Sequence, residues 1–330
     1  MTDPAREASA LAAALARLAG SLASAGRPFD LWAPPLTPTV IETAADRVAR
    51  GEAEILWADR ADPALMLYAP SPGETEFFGY GCARLAGPYL PPEDQGQREA
   101  RAARLAALAS ARARDQGDRL VTLKTGLDPA ALRGLLAGGF VLAEFLNVLT
   151  LELIPNSDGP DDPPPPPGFT WLERGRLEEA EALADDLGDF FYDGHLRHDP
   201  RPGPEAARRI WRRAALEDLA GAADEAVILW DSASGRGAGL ATAKLSEGGA
   251  EGGEAILSIL ALAGPYRSRG LGRPLLRELI RRLNGRIAPQ SRGRLRAETA
   301  AYNLPALALY QALGFKPGPP LAALHLHLTC

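Results

Sequence analysis

The chain has 330 residues, 46% of them hydrophobic and 24% charged, with a net charge of -6; this is an ordinary globular composition, long for one domain and comfortable for two. The acidic balance argues against general nucleic-acid binding, and no apolar run approaches the ~20 residues that cross a bilayer. Two cysteines, Cys82 and Cys330, are too few for a disulfide framework and point to a reducing, cytoplasmic setting.

From the amino terminus, residues 5–24 carry the pattern of an amphipathic helix rich in alanine and leucine, with Asp3 and Glu7 where a signal peptide would be basic. A second helix is predicted from Pro38 to about Ala49, followed by short strands at 54–57 and 64–68. Residues 1–75 are read as a helical and irregular extension without recognisable chemistry. From Glu76 the chain repeats itself. The segment LAGPY occurs at 85–89 and again at 262–266, an offset of 177 residues. LDPAALRGLLAGGF at 127–140 parallels YNLPALALYQALGF at 302–315, an offset of 175, and an apolar stretch follows each. Two matches in the same order at nearly one offset make residues 76–154 and 168–330 related halves. Residues 155–167 between them contain NSDGPDDPPPPP, a polyproline-type linker.

The second half is predicted to run as a strand (168–172), a helix (177–190), a loop (191–204) and a helix (205–220), then strands at 226–231, 238–244 and 255–262. The last strand ends in Gly264-Pro265 and gives Arg267-Ser268-Arg269-Gly270-Leu271-Gly272-Arg273, after which Leu275, Leu276, Leu279, Ile280 and Leu283 recur at helical spacing. Such a turn leaves backbone N–H groups open at a helix N-terminus, where the dipole favours an anion. Gly270 and Gly272 allow close approach, and Arg267, Arg269 and Arg273 add charge, so the turn is built for phosphate. The Walker pattern is absent, and leucine stands where a dinucleotide fingerprint needs its third glycine. In the first half the corresponding residues are Leu90-Pro91-Pro92-Glu93-Asp94-Gln95. Two prolines lack N–H donors and two carboxylates repel phosphate, so that half reads as a degenerate copy. A strand at 294–299, a helix at 304–313 and a closing strand pair near 321–328 complete the chain.

Arg-x-x-Gly-x-Gly after a strand resembles the acyl-CoA pyrophosphate loop of the GNAT acetyltransferases. ETAAYNLPALALYQALGF resembles that family's other hallmark, in which an asparagine opens a helix and a tyrosine lies seven residues on, before Gly-Phe. The resemblance covers roughly residues 168–328. It implies an α/β (α+β) GNAT fold, a mixed and mostly antiparallel central sheet flanked by helices, here in two GNAT-like halves with the catalytic one at 168–330. It also implies acetyl-CoA or another acyl-CoA as the cofactor. Its pantetheine arm would pair with the backbone of Leu260, Ala261 and Leu262, and its pyrophosphate would sit on the N–H groups from Arg267 to Arg273. Asn303 caps the helix beside the cofactor, and Tyr310 matches the residue that protonates the departing sulfur.

No general base stands out. Glu298 on the strand beside the loop is one candidate, as readily a surface carboxylate. The loop FYDGHLRHDPRPGP supplies Tyr192, His195, His198 and Asp199 as acceptor-binding candidates. This segment resembles one of the TDP-fucosamine acetyltransferase subgroup, with His195 where arginine is usual and Leu196 where phenylalanine is usual. That subgroup also has a degenerate amino-terminal half, with a stretch like Phe77-Phe78-Gly79. A metal site at His195 and His198 lacks a third ligand. The expected activity is acyl transfer from acyl-CoA to a primary amine of a small molecule, such as an amino-sugar nucleotide, in a ternary complex. The alternatives are an acyltransferase for an amino-acid or peptide amine, as tandem members such as mycothiol synthase suggest, and a non-catalytic acyl-CoA-binding regulator. The expected partners are a small-molecule or peptide amine and a second copy of the chain as a homodimer, with no nucleic acid and no membrane.

Overall fold

The computed structural model describes residues 3–24, 38–61, 64–92, 94–154, 164–172, 182–185, 196, 199, 203–245, 254–286 and 293–329. The chain divides into two compact units, Met1–Leu146 with Pro319–Cys330, and Asn147–Gly318.

The first unit contains α1 (Pro4–Ser24), α2 (Pro38–Ala49), β1 (Glu54–Asp59), β2 (Ala64–Pro70), α3 (Pro72–Phe78), β3 (Gly81–Tyr89), α4 (Gln95–Gln116), β4 (Asp118–Gly126) and α5 (Pro129–Ala137). It also takes residues 141–146 of β5 (Val141–Leu153) and all of β12 (Leu321–His327). Its strands lie in the order β1-β2-β3-β4-β12-β5. Among the described residues of this unit, β3 and β4 pair in parallel and the other pairings are antiparallel. Strand β2, ALMLYAP, explains the layering. Leu65, Leu67 and Ala69 meet Leu11, Leu15 and Val48 of α1 and α2, while Met66 and Tyr68 meet Leu105 and Leu135 of α4 and α5. A strand covered on both faces reads as an unbroken apolar run.

The second unit contains β6 (Phe169–Leu172), α6 (Gly203–Glu217) continuing into a π-turn (Asp218–Ala222), β7 (Glu225–Asp231), β8 (Arg236–Leu245), β9 (Glu254–Leu262), α7 (Gly272–Arg286), β10 (Gly293–Ala300), α8 (Leu304–Ala312) and β11 (Lys316–Pro317). Its strands run β6-β7-β8-β9-β10 and then residues 147–153 of β5, on which β11 also pairs. Helices α7 and α8 cover one face, with Leu275, Leu279 and Tyr310 over Val227, Ala241 and Leu295. On the other face Leu183, Ala215 and Leu219 cover Ile228, Leu240 and Ile259. Both units are mixed, mostly antiparallel sheets between helical layers, as the fold expectation required. Among the described residues, no helix is long and apolar enough to cross a membrane.

Two boundaries differ from the sequence reading. Within residues 1–75, β1 and β2 are part of the first sheet, because β1 pairs with β2 and β2 with β3, and the two strands carry both cores of the first unit. The closing strands also part company. Strand β11 stays in the second unit, while β12 inserts between β4 and β5 of the first, where Ala322, Leu324 and Leu326 join the core of Val121 and Leu123. Each unit thus completes its sheet with a strand from the other half of the sequence.

Candidate active site

The site is built where β9 leaves its parallel neighbour. Strands β9 and β10 pair only through Arg294–Glu254, Leu295–Ala255 and Arg296–Ile256. Both continue, to Leu262 and to Ala300 respectively. On its other edge β9 stays paired with β8 up to Gly239–Leu262. Backbone groups of β9 beyond Ile256 therefore face a gap on the β10 side. The β8 register skips Ser258, since Thr242 pairs with Ile259 and Ala243 with Leu257. This bulge bends and re-aims the strand two residues past its last rung with β10. Leu260, Ala261 and Leu262 occupy the unpaired end, and Ala261 is buried against the face of α6.

The basic loop follows. A single 3-10 turn (Gly264–Tyr266) leads to Arg267, and positive φ at Ser268 (57°) and Gly270 (77°) alternates with ordinary φ between them. Successive N–H groups then point into one concavity, an anion-binding nest. Among the described residues, the N–H groups of Ser268, Arg269, Gly270 and Leu271 donate to no backbone carbonyl. Gly270 stands in open space, so its backbone conformation rather than crowding demands glycine. Gly272 is different: a Cβ there would lie 3.2 Å from Leu309 Cδ2, which shows how closely α8 packs on the start of α7. Pro274 falls within the first turn of α7, where its missing N–H costs nothing.

A latch that the sequence reading missed holds the loop. The Tyr266 hydroxyl donates to Asp231 Oδ2 at 2.9 Å and lies 2.9 Å from Ser234 Oγ, tying the loop to the β7–β8 turn. The Ser234 and Tyr266 hydroxyls hold the Asp231 carboxyl below the usual carboxylate range. Phe169 packs edge-on against the Tyr266 ring at 6.0 Å, and the Arg269 guanidinium sits over it at 5.7 Å. LAGPY was visible only as a repeat marker; nothing local in it announces a hydroxyl partner 35 residues upstream.

The second motif lies beside the loop. Asn303 Oδ1 accepts from Ala306 N–H at 3.3 Å and its Nδ2 donates to Thr299 Oγ1 at 3.0 Å. Its side chain therefore caps α8 and ties the helix to the end of β10. Tyr310 is 4% exposed and packs on Phe315 at 5.2 Å. Among the described residues its hydroxyl has no hydrogen-bond partner, and burial pushes its ionisation well above the ordinary tyrosine value. Glu298 lies on the β10 face opposite α7 and pairs with Arg296, 2.7 Å from Oε1 to Nη2. On the same face the carboxylate of Asp218, 1% exposed, accepts from Thr242 Oγ1 at 2.7 Å and meets Lys244 Nζ at 2.9 Å. Neither Asp218 nor Arg296 was singled out from sequence, because an acid in an amphipathic helix and a basic residue in an alternating strand are commonplace. Of the loop candidates, Tyr192, His195 and His198 lie outside the described residues; Asp199 is described and buried.

Residues 181–315 match the family model described as the acetyltransferase (GNAT) family. A GCN5-related N-acetyltransferase from Sphaerobacter thermophilus superposes with a TM-score of 0.57 at 16% identity, over 95% of this chain and 91% of that one. One from Kribbella flavida gives 0.52 at 14% identity, over 86% and 93%. A tandem GNAT protein of the clavulanic acid biosynthesis pathway gives 0.50 at 17% identity, over 80% and 78%. No curated protein matches the chain significantly. The chain has the tandem GNAT fold, and within its second unit residues 181–315 are similar to the GNAT acetyltransferase family.

Proposed function

We propose that the second unit is an acyl-CoA-dependent N-acyltransferase acting on a primary amine by direct transfer in a ternary complex. The observation that carries this reading is one continuous feature. Strand β9 parts from β10 after Ile256 and leads into a loop of N–H groups that, among the described residues, stay open, beside the buried side chain of Tyr310. The residues fit the cofactor. The unpaired edge at Leu260, Ala261 and Leu262 offers main-chain groups to the amides of a pantetheine arm, as a strand would. The nest from Arg267 to Arg273 receives a pyrophosphate, with Arg269 held over Tyr266 for its charge. Asn303 contributes by fixing α8 rather than through a free side chain.

Bound there, acyl-CoA supplies an acyl group activated as a thioester. Tyr310 stays protonated at neutral pH because burial disfavours its phenolate, so it holds a proton for the departing sulfur. Glu298 is the base candidate on the acceptor face, held in place by its ion pair with Arg296. The amino-sugar-nucleotide acceptor rests on the resemblance of residues 195–200 alone, so the coarser class, a primary amine, is the one we argue.

The test is titration of acetyl-CoA together with thiol release across a panel of amines, for the wild type and two variants. Gly270→Glu places a strained, negatively charged residue in the nest and is expected to abolish binding. Tyr310→Phe is expected to keep binding and to lower kcat by about 10²-fold or more. Unchanged turnover in Tyr310→Phe would overturn its catalytic role, and failure of the wild type to bind acyl-CoA would overturn the reading as a whole.

A further inference from the structure

The face of β8, β9 and β10 opposite α7 carries one row of side chains at the point where the strands part. Lys244 pairs with Ile256, and Ile256 pairs with Arg296 in the last rung before the gap. Their chain neighbours Ala243, Ala255 and Leu295 lie in the core under α7, so the row itself projects the other way. With strands about 4.8 Å apart, the Cα atoms of Lys244 and Arg296 are separated by about 10 Å. Ile256 between them is 43% exposed.

Among the described residues, each cation in this row meets one internal anion and has donors to spare. Lys244 Nζ meets Asp218 at 2.9 Å, leaving the remaining ammonium hydrogens open among the described residues. Arg296 Nη2 meets Glu298 at 2.7 Å, while Arg296 Nε is buried with no hydrogen-bond partner. An unsatisfied buried donor on a charged group is a standing cost that a bound acceptor atom removes.

We propose that the acceptor carries a carboxylate beside its primary amine, and that Arg296, with Lys244, receives it. This rests on the acyltransferase reading above and names the substrate class. The planar guanidinium fork suits a carboxylate. Glu298, two residues past Arg296 on the same face, is the acid placed to meet the amine. Amino acids and their conjugates with a free carboxylate have this chemistry; polyamines and neutral amino sugars do not.

The experiment measures kcat/KM for thiol release from acetyl-CoA with matched amines that differ only in the carboxylate, such as lysine against cadaverine, ornithine against putrescine, and dipeptides against their amides. The carboxylate-bearing member is expected to be better by about tenfold or more. Arg296→Gln is expected to cost that member about tenfold more than its partner, with Arg296→Lys intermediate. Equal kcat/KM within every pair overturns the inference while leaving acyl transfer intact. So does the absence of turnover with every carboxylate-bearing amine when acetyl-CoA still binds. Failure to bind acetyl-CoA strikes the underlying reading instead.

Discussion

The loop after β3 and the loop after β9 occupy the same place in the repeat and treat the positive end of the following helix in opposite ways. In the first unit the protein fills that end itself. Asp94 caps α4 by accepting from Gln97 N–H at 3.0 Å. Arg98 donates through Nη1 to Pro91 O at 2.7 Å and is ion-paired with Asp128. In the second unit, among the described residues, no side chain caps α7 and the N–H groups from Ser268 to Leu271 stay open. The strands differ in the same sense. Pairing of β3 with β4 runs on to Leu85–Leu123, four residues before β3 ends, whereas β9 loses β10 six residues before Leu262. At an offset of 175 from Tyr310 stands Leu135, fully buried in the first core. One framework thus yields a sealed packing unit when a carboxylate, a continued ladder and a leucine occupy these positions. It yields a cleft when they are replaced by open N–H groups, a strand that parts from its parallel neighbour and a tyrosine.

The strand exchange ties the sealed unit to the far end of the chain. If β12 belongs to the first unit, deleting residues 319–330 must damage the half that does not hold the cleft. The deletion removes Leu324, Leu326 and Leu328 from the first core, worth about 5 kcal/mol or more in buried apolar surface. It also exposes an edge on β4. Amide hydrogen exchange should lose protection in β3, β4 and α4, while β7, β8 and α7 retain theirs. Loss confined to the second unit would return the closing strand to the half where sequence order puts it.

The same strand marks the limit of what the sequence makes legible. The elements themselves are readable because apolar periodicity is local: 254–262 and 293–300 alternate around a core, and 272–286 repeats at helical spacing. The loop and Asn303 with Tyr310 are readable because a fixed spacing carries their chemistry. Which sheet a strand joins is not local. LAALHLH has the same alternation whichever neighbours cover it, so its insertion between β4 and β5 leaves no trace in the pattern. For the same reason 54–59 and 64–70 look like strands but not like members of a repeat. Side-chain partnerships across long separations, Tyr266 with Asp231 and Asp218 with Thr242, are equally invisible.

The Tyr266 latch bears on whether openness alone makes the second loop a site, or openness held in one shape. Tyr266→Phe removes both hydroxyl contacts and keeps the ring under Arg269. The loop would then sample more conformations, and binding would have to restore the order. KM for acyl-CoA is expected to rise by about threefold to tenfold, the value of one or two hydrogen bonds, one of them charged. An unchanged KM would show that the nest is fixed by its own backbone, with Ser268 and Gly270 sufficient.

The smallest effect tests the sealed loop. Asp94→Ala removes the cap of α4 and is expected to cost about 1 kcal/mol of stability, read as a lower urea midpoint for the transition of the first unit. It should confer no acyl-CoA binding there. Pro91 and Pro92 still lack N–H donors, β4 still follows β3 to Leu123, and Leu135 still fills the tyrosine position. A second binding event in calorimetry would mean that a single carboxylate had been holding the first site shut. The difference between the units would then be one of charge at a helix end, not of strand separation.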